Sequence, residues 1–444
     1  MRDGKVWMAS AIVLLGWGVM ALGASRPWGY APLLAGMGAL GAATFLTCPD
    51  SGLISRGLCL SLASVCAAIA CQLIPLPTNV LSVISPATAP LVGRGAAAAH
   101  PLSISPDATA LGLAFIVALG LFFVGTVRLM GRDGAQRMAT GLVWLGTAVA
   151  LVGIAEASTS WPSIYDAAGL PLPPDSTPYG PFSSKNHYAG WMMMALAVTT
   201  GYLCASLEQL RQRWSGRAVV MLCAATTMAV ALAQTRSRAG ILGLALTVTM
   251  MGGLLMRRGT TLRVGILFAL PMGLLLLTGI GAAGVQPIAK RFATNSWANA
   301  HGRLPIWRQA AAIARDFPIT GAGFNTYQRV VTFYPSADLD EPYEGAHNDF
   351  LQLAAEGGLL VGIPVLTTIG FFIWDTRRRF RESWSDGTTD WLRTGAIVGL
   401  GLMALQETVD FSLQVPGNAA LFVVLAAIAV HRAPTVDQAR VIHR

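Results

Sequence analysis

Two arginines in a short polar turn could bind an anion. Arg236 and Arg238 lie in the run Thr-Arg-Ser-Arg between two apolar stretches. The guanidinium group is permanently charged, and its forked N–H donors match the oxygens of a phosphate group. Arginines near the ends of membrane helices can also extend their charged groups into water at low cost. The pair is therefore a candidate anion clamp, with a pair of interfacial anchors as the alternative.

His347 is the candidate general base. It precedes Asn348 where a long polar stretch returns to an apolar one, and either residue can cap the helix expected there. A helix N-terminus favours a neutral imidazole and attracts anions. His347 could therefore take a proton from a hydroxyl group beside a bound anion, with Asn348 and the nearby Glu356 as possible substrate contacts. The alternative is an ordinary hydrogen-bonding histidine.

Lys185, Asn186 and His187 form a second polar cluster just before another apolar stretch. Lys185 and His187 are possible substrate-binding residues, because the cluster is expected on the same outer side as the arginines and His347. The alternative is a polar helix start with Asn186 as its cap.

A short helix is predicted over 303–316 in the long polar stretch. Its apolar residues recur at helical spacing, but the run is too short to cross a membrane. Pro305 suits the first turn, and Pro318 with the glycines after it should end the helix. Arg303 lies at the start of this interfacial helix and Arg308 on its polar side, where either could contact a substrate.

No metal or cofactor site is predicted. The six cysteines show neither a pair in an outer loop nor the spacing of a metal site. Four acidic residues precede His347, but their spacing matches no calcium-binding loop, and a solvated loop is the simpler interpretation. They are Asp338, Asp340, Glu341 and Glu344.

Membrane helices must position these residues. Apolar residues make up 54% of the 444-residue chain and charged residues 12%, with a mean hydropathy of +0.55. A soluble domain has about 25% charged residues. The sequence predicts an all-α integral membrane protein of about twelve transmembrane helices, because each apolar run matches one bilayer crossing. The predicted spans are 6–24, 28–47, 57–76, 108–129, 138–158, 188–206, 217–234, 239–256, 264–282, 356–374, 391–411 and 416–431.

The chain is predicted to form a single membrane domain over 1–444. Its largest outer segment, 283–355 between the ninth and tenth spans, is rich in aromatic residues, which favours an ordered periplasmic loop. An N-terminus in the cytoplasm places most of the 31 Lys and Arg residues in cytoplasmic loops, so both termini are expected there. The net charge of +9 reflects this orientation, and no nucleic-acid partner is predicted.

Short motifs occur in order through most of the chain, with one large outer loop between the Ser-Arg and His-Asn motifs. They are Gln72-Leu-Ile-Pro-Leu-Pro77, Leu102-Ser-Ile-Ser-Pro-Asp-Ala-Thr109, Lys185-Asn-His187, Thr235-Arg-Ser-Arg238, Gly302-Arg303 with Trp307, Pro318-Ile-Thr-Gly-Ala-Gly323, His347-Asn348 with Gln352 and Glu356, and Val409-Asp-Phe-Ser-Leu-Gln-Val-Pro416. This order resembles the O-antigen ligase family, which includes O-antigen polymerases and bacterial protein O-oligosaccharyltransferases. It says little about the subgroup.

The resemblance implies helices around a periplasmic cavity, and transfer of a glycan from undecaprenyl diphosphate to an acceptor hydroxyl without nucleotide sugar or metal. It also implies that His347 activates the hydroxyl, that Arg238, Arg236 and Arg303 hold the departing diphosphate, and that the anomeric centre is inverted. Donors preorganised around a developing anion are often the largest catalytic contribution. The assigned arginines would therefore stabilise the leaving group.

The predicted function is ligation of O-antigen or a similar polysaccharide to lipid A-core at the periplasmic face of a bacterial inner membrane. A polymerase that extends the lipid-linked chain and a protein O-oligosaccharyltransferase are alternatives with the same chemistry, and the short C-terminal tail argues against the second. A transporter of the lipid-linked glycan is the alternative from another class. Transporters usually bind their substrate near the membrane midplane, whereas the polar residues here collect on one face.

Overall fold

The computed structural model describes residues 2–48, 54–92, 99–130, 134–158, 164–167, 169–170, 172, 176–209, 216–258, 296–335, 345–382 and 387–432. Two short strands, β1 Pro75–Pro77 and β2 Ala99–Pro101, pair in antiparallel orientation. The α-helices are α1 Arg2–Met20, α2 Pro27–Thr47, α3 Arg56–Cys71, α4 Thr78–Ile84, α5 Thr88–Val92, α6 Pro106–Leu129, α7 Gly134–Ser158, α8 Ile164–Ala167, α9 Lys185–Gln209, α10 Gly216–Gln234, α11 Arg238–Arg257, α12 Ser296–Asp316, α13 Tyr327–Val330, α14 Asp349–Arg381, α15 Gly387–Gln406 and α16 Pro416–Val430.

The helices agree with an all-α membrane protein. Each predicted span overlaps a helix, except 264–282, which lies outside the described residues. Among the described residues, 7 helices are long and apolar enough to cross a membrane, namely α2, α6, α7, α9, α10, α11 and α14. Shorter apolar helices are α1, α3 and α16. The total number of crossings and the periplasmic position of the long loop stay predictions.

Two differences between the observed helices and the predicted spans bear on the candidate residues. α14 begins at Asp349 and not at 356, so its first turns lie within the predicted loop 283–355. α15 ends at Gln406, so residues 407–411 of the predicted span 391–411 lie beyond the helix. The second difference places Glu407 and Asp410 outside the spanning helix.

The helix predicted to be interfacial also begins earlier than expected. α12 starts at Ser296, so Arg303 and Pro305 lie inside the helix and not in its first turn. Proline lacks the N–H for the usual helical hydrogen bond, but the helix continues through Pro305. The predicted end at Asp316 is confirmed. Buried residues recur at helical spacing, as the apolar pattern indicates: Ile306, Ala310 and Ile313.

α9 lies at the centre of the bundle. An 18-residue apolar window of its candidate span is 100% buried, and the helix packs against α7, α10, α11 and α15. A Cβ atom on Gly201 of α9 would lie 2.5 Å from the carbonyl oxygen of Trp391 on α15, so glycine permits this close approach. The surrounding helices therefore enclose α9, whose first turn carries the Lys185-Asn-His187 motif.

α14 is broken at Gly358, where φ is 53° and ψ is −154°. The segment 318–323 fills the break, because its carbonyl groups accept N–H groups after Gly358 and its N–H groups donate to carbonyl oxygens before it. These hydrogen bonds are 2.8–3.0 Å long and join Leu359 to Pro318, Leu360 to Ile319, Ala322 to Ala355 and Gly323 to Glu356. The loop after α12 is thereby docked on α14, close to its first residues.

Candidate functional site

His347 stands directly before α14. The side chain of Asn348 accepts the backbone N–H of Leu351 at 3.0 Å, which confirms the predicted helix cap. The backbone of His347 has a φ of 48°, an uncommon conformation for a residue with a side chain. The indole N–H of Trp307 donates to the carbonyl oxygen of His347 at 3.4 Å. Helix α12 therefore contacts the backbone of His347. The side chain of His347 is 25% exposed.

A carboxylate that sequence reasoning did not assign faces this histidine. Nδ1 of His347 lies 3.8 Å from Oδ1 of Asp410, whose side chain is 6% exposed. The same oxygen accepts the backbone N–H of Phe411 at 3.0 Å. A carboxylate facing Nδ1 favours the tautomer with hydrogen on Nδ1. Nε2 is then the nitrogen that can accept a proton.

Phe411 brings a second histidine to the same place. Its ring centroid lies 4.8 Å from that of His347 and 5.1 Å from that of His187, with edge-to-face geometry in both pairs. His187 is buried in the first turn of α9. Two histidines that are far apart in the sequence therefore contact one phenyl ring.

Two carboxyl groups in the turn after α15 have opposite ionisation behaviour. Burial disfavours ionised Asp410, but the contact with His347, the electrostatic interaction with His187 and the backbone N–H of Phe411 outweigh it and lower the pKa of Asp410. Burial and then the negative charge of Asp349 raise the pKa of Glu407 to about 10. At neutral pH the turn thus contains an ionised Asp410 and a protonated Glu407.

Arg236 and Arg238 are connected to the first turn of α9. Arg236 is exposed and has a φ of 52°, whereas Arg238 is half-buried and begins α11. Between them, Ser237 caps α11 by accepting a backbone N–H at 3.4 Å. The Ser237 hydroxyl donates to Oδ1 of Asn186 at 3.0 Å. The two predicted clusters are therefore neighbours.

The alternative that Asn186 caps α9 is wrong. Asn186 lies inside the helix, and the hydroxyl of Ser184 accepts its backbone N–H at 3.3 Å. Lys185 is half-buried and is the first residue of α9. The polar sequence at this helix start thus connects neighbouring elements as well as capping α9.

Arg303 lies on α12 one helical turn before Trp307, so the two residues share a face of the helix. Trp307 reaches the backbone of His347 at 3.4 Å, so this face is directed towards the start of α14. Arg303 is half-buried and Arg308 is exposed.

Glu356 is buried and binds the loop after α12. Its carboxylate accepts the backbone N–H groups of Asn325 at 2.9 Å and Tyr327 at 2.8 Å, and the side-chain amide of Gln352 at 3.2 Å. Gln72 donates to the carbonyl oxygen of Glu356 at 2.9 Å. Both carboxylate oxygens are thus engaged in holding the docked loop.

Among the described residues, no group of 3 or more His, Cys, Asp or Glu side chains is arranged to hold a metal ion. The acidic run Asp338, Asp340, Glu341 and Glu344 lies outside those residues. Within the described residues, the candidate site comprises the His347–Asp410 pair, His187 and the neighbouring arginine turn, with Arg303 on the same face of α12 as Trp307.

The residues of the histidine–carboxylate pair and of the neighbouring arginine turn all belong to the motifs quoted above. Residues 223–366 match the family model described as O-antigen ligase. The resemblance to the O-antigen ligase family is confirmed. The match contains Arg236, Arg238, Arg303 and His347, whereas Asp410 lies outside it. No match was found among curated proteins.

The O-antigen ligase match and the apolar helices together indicate a multi-pass membrane protein. The match also supports a glycosyltransferase of the O-antigen ligase or polymerase type that acts on lipid-linked glycan and acceptor substrates.

Sequence reasoning missed Asp410, although a signal for it was present. The predicted span 391–411 contained Glu407 and Asp410 near its outer end. Ionisable residues inside a membrane span are rare and are candidates for function by default. Treating this pair in that way would have identified the turn as part of the site.

Proposed function

We propose that this protein moves a glycan from undecaprenyl diphosphate to an acceptor hydroxyl at the periplasmic face of a bacterial inner membrane. The His347–Asp410 pair carries the proposal, with Nδ1 of the imidazole 3.8 Å from the carboxylate. An attacking hydroxyl must lose its proton, and a histidine whose Nδ1 faces a carboxylate is suited to accept it through Nε2. The family match supports the same class of reaction.

In the proposed reaction, the acceptor oxygen forms a bond to the anomeric carbon as His347 takes the hydroxyl proton. The bond between the anomeric carbon and the diphosphate oxygen breaks, and the diphosphate leaves with the electron pair. Attack from the side opposite the leaving group inverts the anomeric centre. Asp410 stays ionised and stabilises the imidazolium ion that forms.

The leaving diphosphate needs positive charge and N–H donors. Arg238 and Arg236 at the start of α11, together with Arg303 on α12, are proposed to supply them. The N-terminal end of α11 adds a favourable partial charge. Asn348, Lys185, His187 and Arg308 are proposed as further substrate contacts. Glu356 is proposed to support the loop, because its carboxylate is buried and bonded.

We propose O-antigen or a similar polysaccharide as the glycan and lipid A-core as the acceptor. A growing lipid-linked glycan is the acceptor if the protein is a polymerase. The decisive test uses purified protein in lipid nanodiscs with a labelled undecaprenyl-diphosphate glycan, with and without lipid A-core. Transfer of label to lipid A-core supports ligation. Chain growth on the lipid-linked glycan in the absence of lipid A-core assigns polymerisation instead.

The same assay tests the proposed class of reaction. If folded wild-type protein transfers label to none of the hydroxyl acceptors, the proposal is overturned. A second experiment identifies the glycan that accumulates on undecaprenyl diphosphate when the gene is removed. Full-length polymer supports a ligase, and single repeat units support a polymerase.

A further inference from the structure

We propose that Asn186 is a positioning residue that fixes the arginine turn relative to the His347–Asp410 pair. The roles of these two parts rest on the proposed function, but the contacts do not. Asn186 is bonded in two directions. Its Oδ1 accepts the hydroxyl of Ser237 at 3.0 Å, and its main-chain oxygen accepts the side-chain amide of Gln406 at 3.0 Å.

The first contact reaches the arginines. Ser237 lies between Arg236 and Arg238 in the chain, and its hydroxyl oxygen also accepts an N–H in the first turn of α11 at 3.4 Å. The backbone of Ser237 donates to the hydroxyl of Thr235 at 3.1 Å, which keeps the turn compact. A hydrogen bond from Asn186 to this serine therefore acts on the position of the whole turn.

The second contact reaches the turn that carries Asp410. Gln406 is the last residue of α15, and its side-chain amide also donates to the hydroxyl of Ser412 at 2.8 Å. Asn418 connects the same elements, because its amide donates to the carbonyl oxygens of His187 and Ser412, each at 3.0 Å. The first turn of α9 is thus connected to residues before and after Asp410, to Gln406 directly and to Ser412 through Asn418.

Such a connection has a consequence for glycosyl transfer. The diphosphate and the attacking hydroxyl must be held in a fixed relation, and a misplacement of about 1 Å can cost about 10² in rate. Asn186 is a neutral acceptor, so it can hold Ser237 without adding a negative charge that would compete with the diphosphate for the arginines. Gln406, Ser412 and Asn418 are buried, which makes this connection a stiff one.

The test compares wild-type protein with Asn186→Ala, Ser237→Ala and the double variant in the transfer assay. Each single variant should lower kcat or raise the donor KM about tenfold and leave the acceptor KM nearly unchanged. The double variant should lose little more than Ser237→Ala, because both changes remove one hydrogen bond. Ser237→Thr retains a hydroxyl and should restore most of the activity.

Thr200→Val is the matched control for stability. It removes a buried hydroxyl of the same helix, which donates to the carbonyl oxygen of Leu196 at 2.7 Å. This variant should lower Tm without changing the donor KM. If Asn186→Ala and Thr200→Val have the same kinetic constants, Asn186 has only a structural role and the inference is overturned. If Asn186→Ala does not fold, Ser237→Ala decides by the same comparison.

Hydrogen–deuterium exchange separates this inference from the proposed function. Without substrate, the backbone at 235–240 should exchange faster in Asn186→Ala than in Thr200→Val or wild-type protein. Unchanged exchange there overturns the positioning role even if the wild-type protein transfers glycan. If exchange at 235–240 is faster in Asn186→Ala but the wild-type protein transfers no glycan, the positioning role is supported. Only the proposed function is then overturned.

Discussion

His347 and Asp410 face each other across 3.8 Å, although one residue precedes α14 and the other follows α15. This distance is longer than a hydrogen bond, so the pair is close but not yet in tight contact. Catalytic hydrogen bonds are often long without substrate and shorten in the reacting complex. Phe411, the residue after Asp410, packs against His347 with ring centroids 4.8 Å apart.

The first prediction concerns this pair. His347→Gln keeps a hydrogen-bonding group but cannot accept a proton at neutral pH, so transfer should fall by about 10²–10⁴ while the donor still binds. Asp410→Asn should cost at least about tenfold, because the favoured tautomer and the stabilised imidazolium are lost. Initial rates and donor binding are the measurements. The double variant should be no slower than His347→Gln. Additive losses would show that the two residues act independently.

The membrane helices could be read from the sequence because a bilayer crossing needs about 20 apolar residues, whatever the helix contacts. The ends of the helices depend on tertiary contacts and could not be read in this way. Gln406 ends α15 with side-chain bonds to Asn186 and Ser412, which come from other parts of the chain. For this reason Asp410 was assigned to a span and missed as the partner of His347.

The candidate site shows a similar division. Residue type and position, at a helix start and in a short polar turn, made His347 and Arg238 candidates, because imidazole and guanidinium have distinctive chemistry. Residue type could not separate Glu356 from a catalytic carboxylate. Burial and the two backbone N–H groups from Asn325 and Tyr327 indicate a structural role for its side chain, and both are consequences of the docked loop.

The second prediction tests the anion clamp. Arg238→Lys keeps the positive charge but loses the planar fork, so transfer should fall by about 10²–10³ with folding and membrane insertion retained. Arg257→Lys is the matched control, because Arg257 is exposed at the other end of α11. Transfer rate and the yield of folded protein are measured for both. Normal activity of Arg238→Lys would favour the interfacial anchor.

The third prediction tests the orientation in the membrane. A cysteine at exposed Thr332 should react with an impermeant thiol reagent from the periplasm, whereas one at exposed Arg377 should not. Native cysteines, including exposed Cys59, Cys71 and Cys223, are first replaced. Labelling of intact cells is compared with labelling after lysis. The reverse pattern would place His347 and the arginine turn on the cytoplasmic side.

The fourth prediction follows from the raised pKa of Glu407, which is about 10 because of burial and the charge of Asp349. A carboxyl group whose pKa is higher in the folded state stabilises the protein fully below its unfolded pKa of about 4.3. That contribution is lost as the pH rises through the folded pKa. Wild-type Tm should therefore fall between pH 5 and pH 8 more steeply than the Tm of Glu407→Gln, which has no proton to lose.

The linkage between proton binding and folding gives the size of this pH dependence of stability. One proton corresponds to a slope of at most about 1.4 kcal/mol for each pH unit, and the difference between wild type and Glu407→Gln isolates it from the histidines. Thermal unfolding in the same detergent at each pH is the measurement. Parallel pH profiles would mean that Glu407 is ionised in the folded protein.

The last prediction separates support of the loop from chemistry at Glu356. In Glu356→Gln, an amide N–H₂ replaces one of the oxygens that accept the N–H groups of Asn325 and Tyr327, so one buried N–H loses its partner. Such a loss costs about 1–3 kcal/mol, and Tm should fall. The folded fraction should retain the pH profile of wild-type transfer, since Glu356 is not expected to exchange a proton with substrate. Loss of transfer at an unchanged Tm would instead identify Glu356 as the base and reduce His347 to a residue that orients the acceptor.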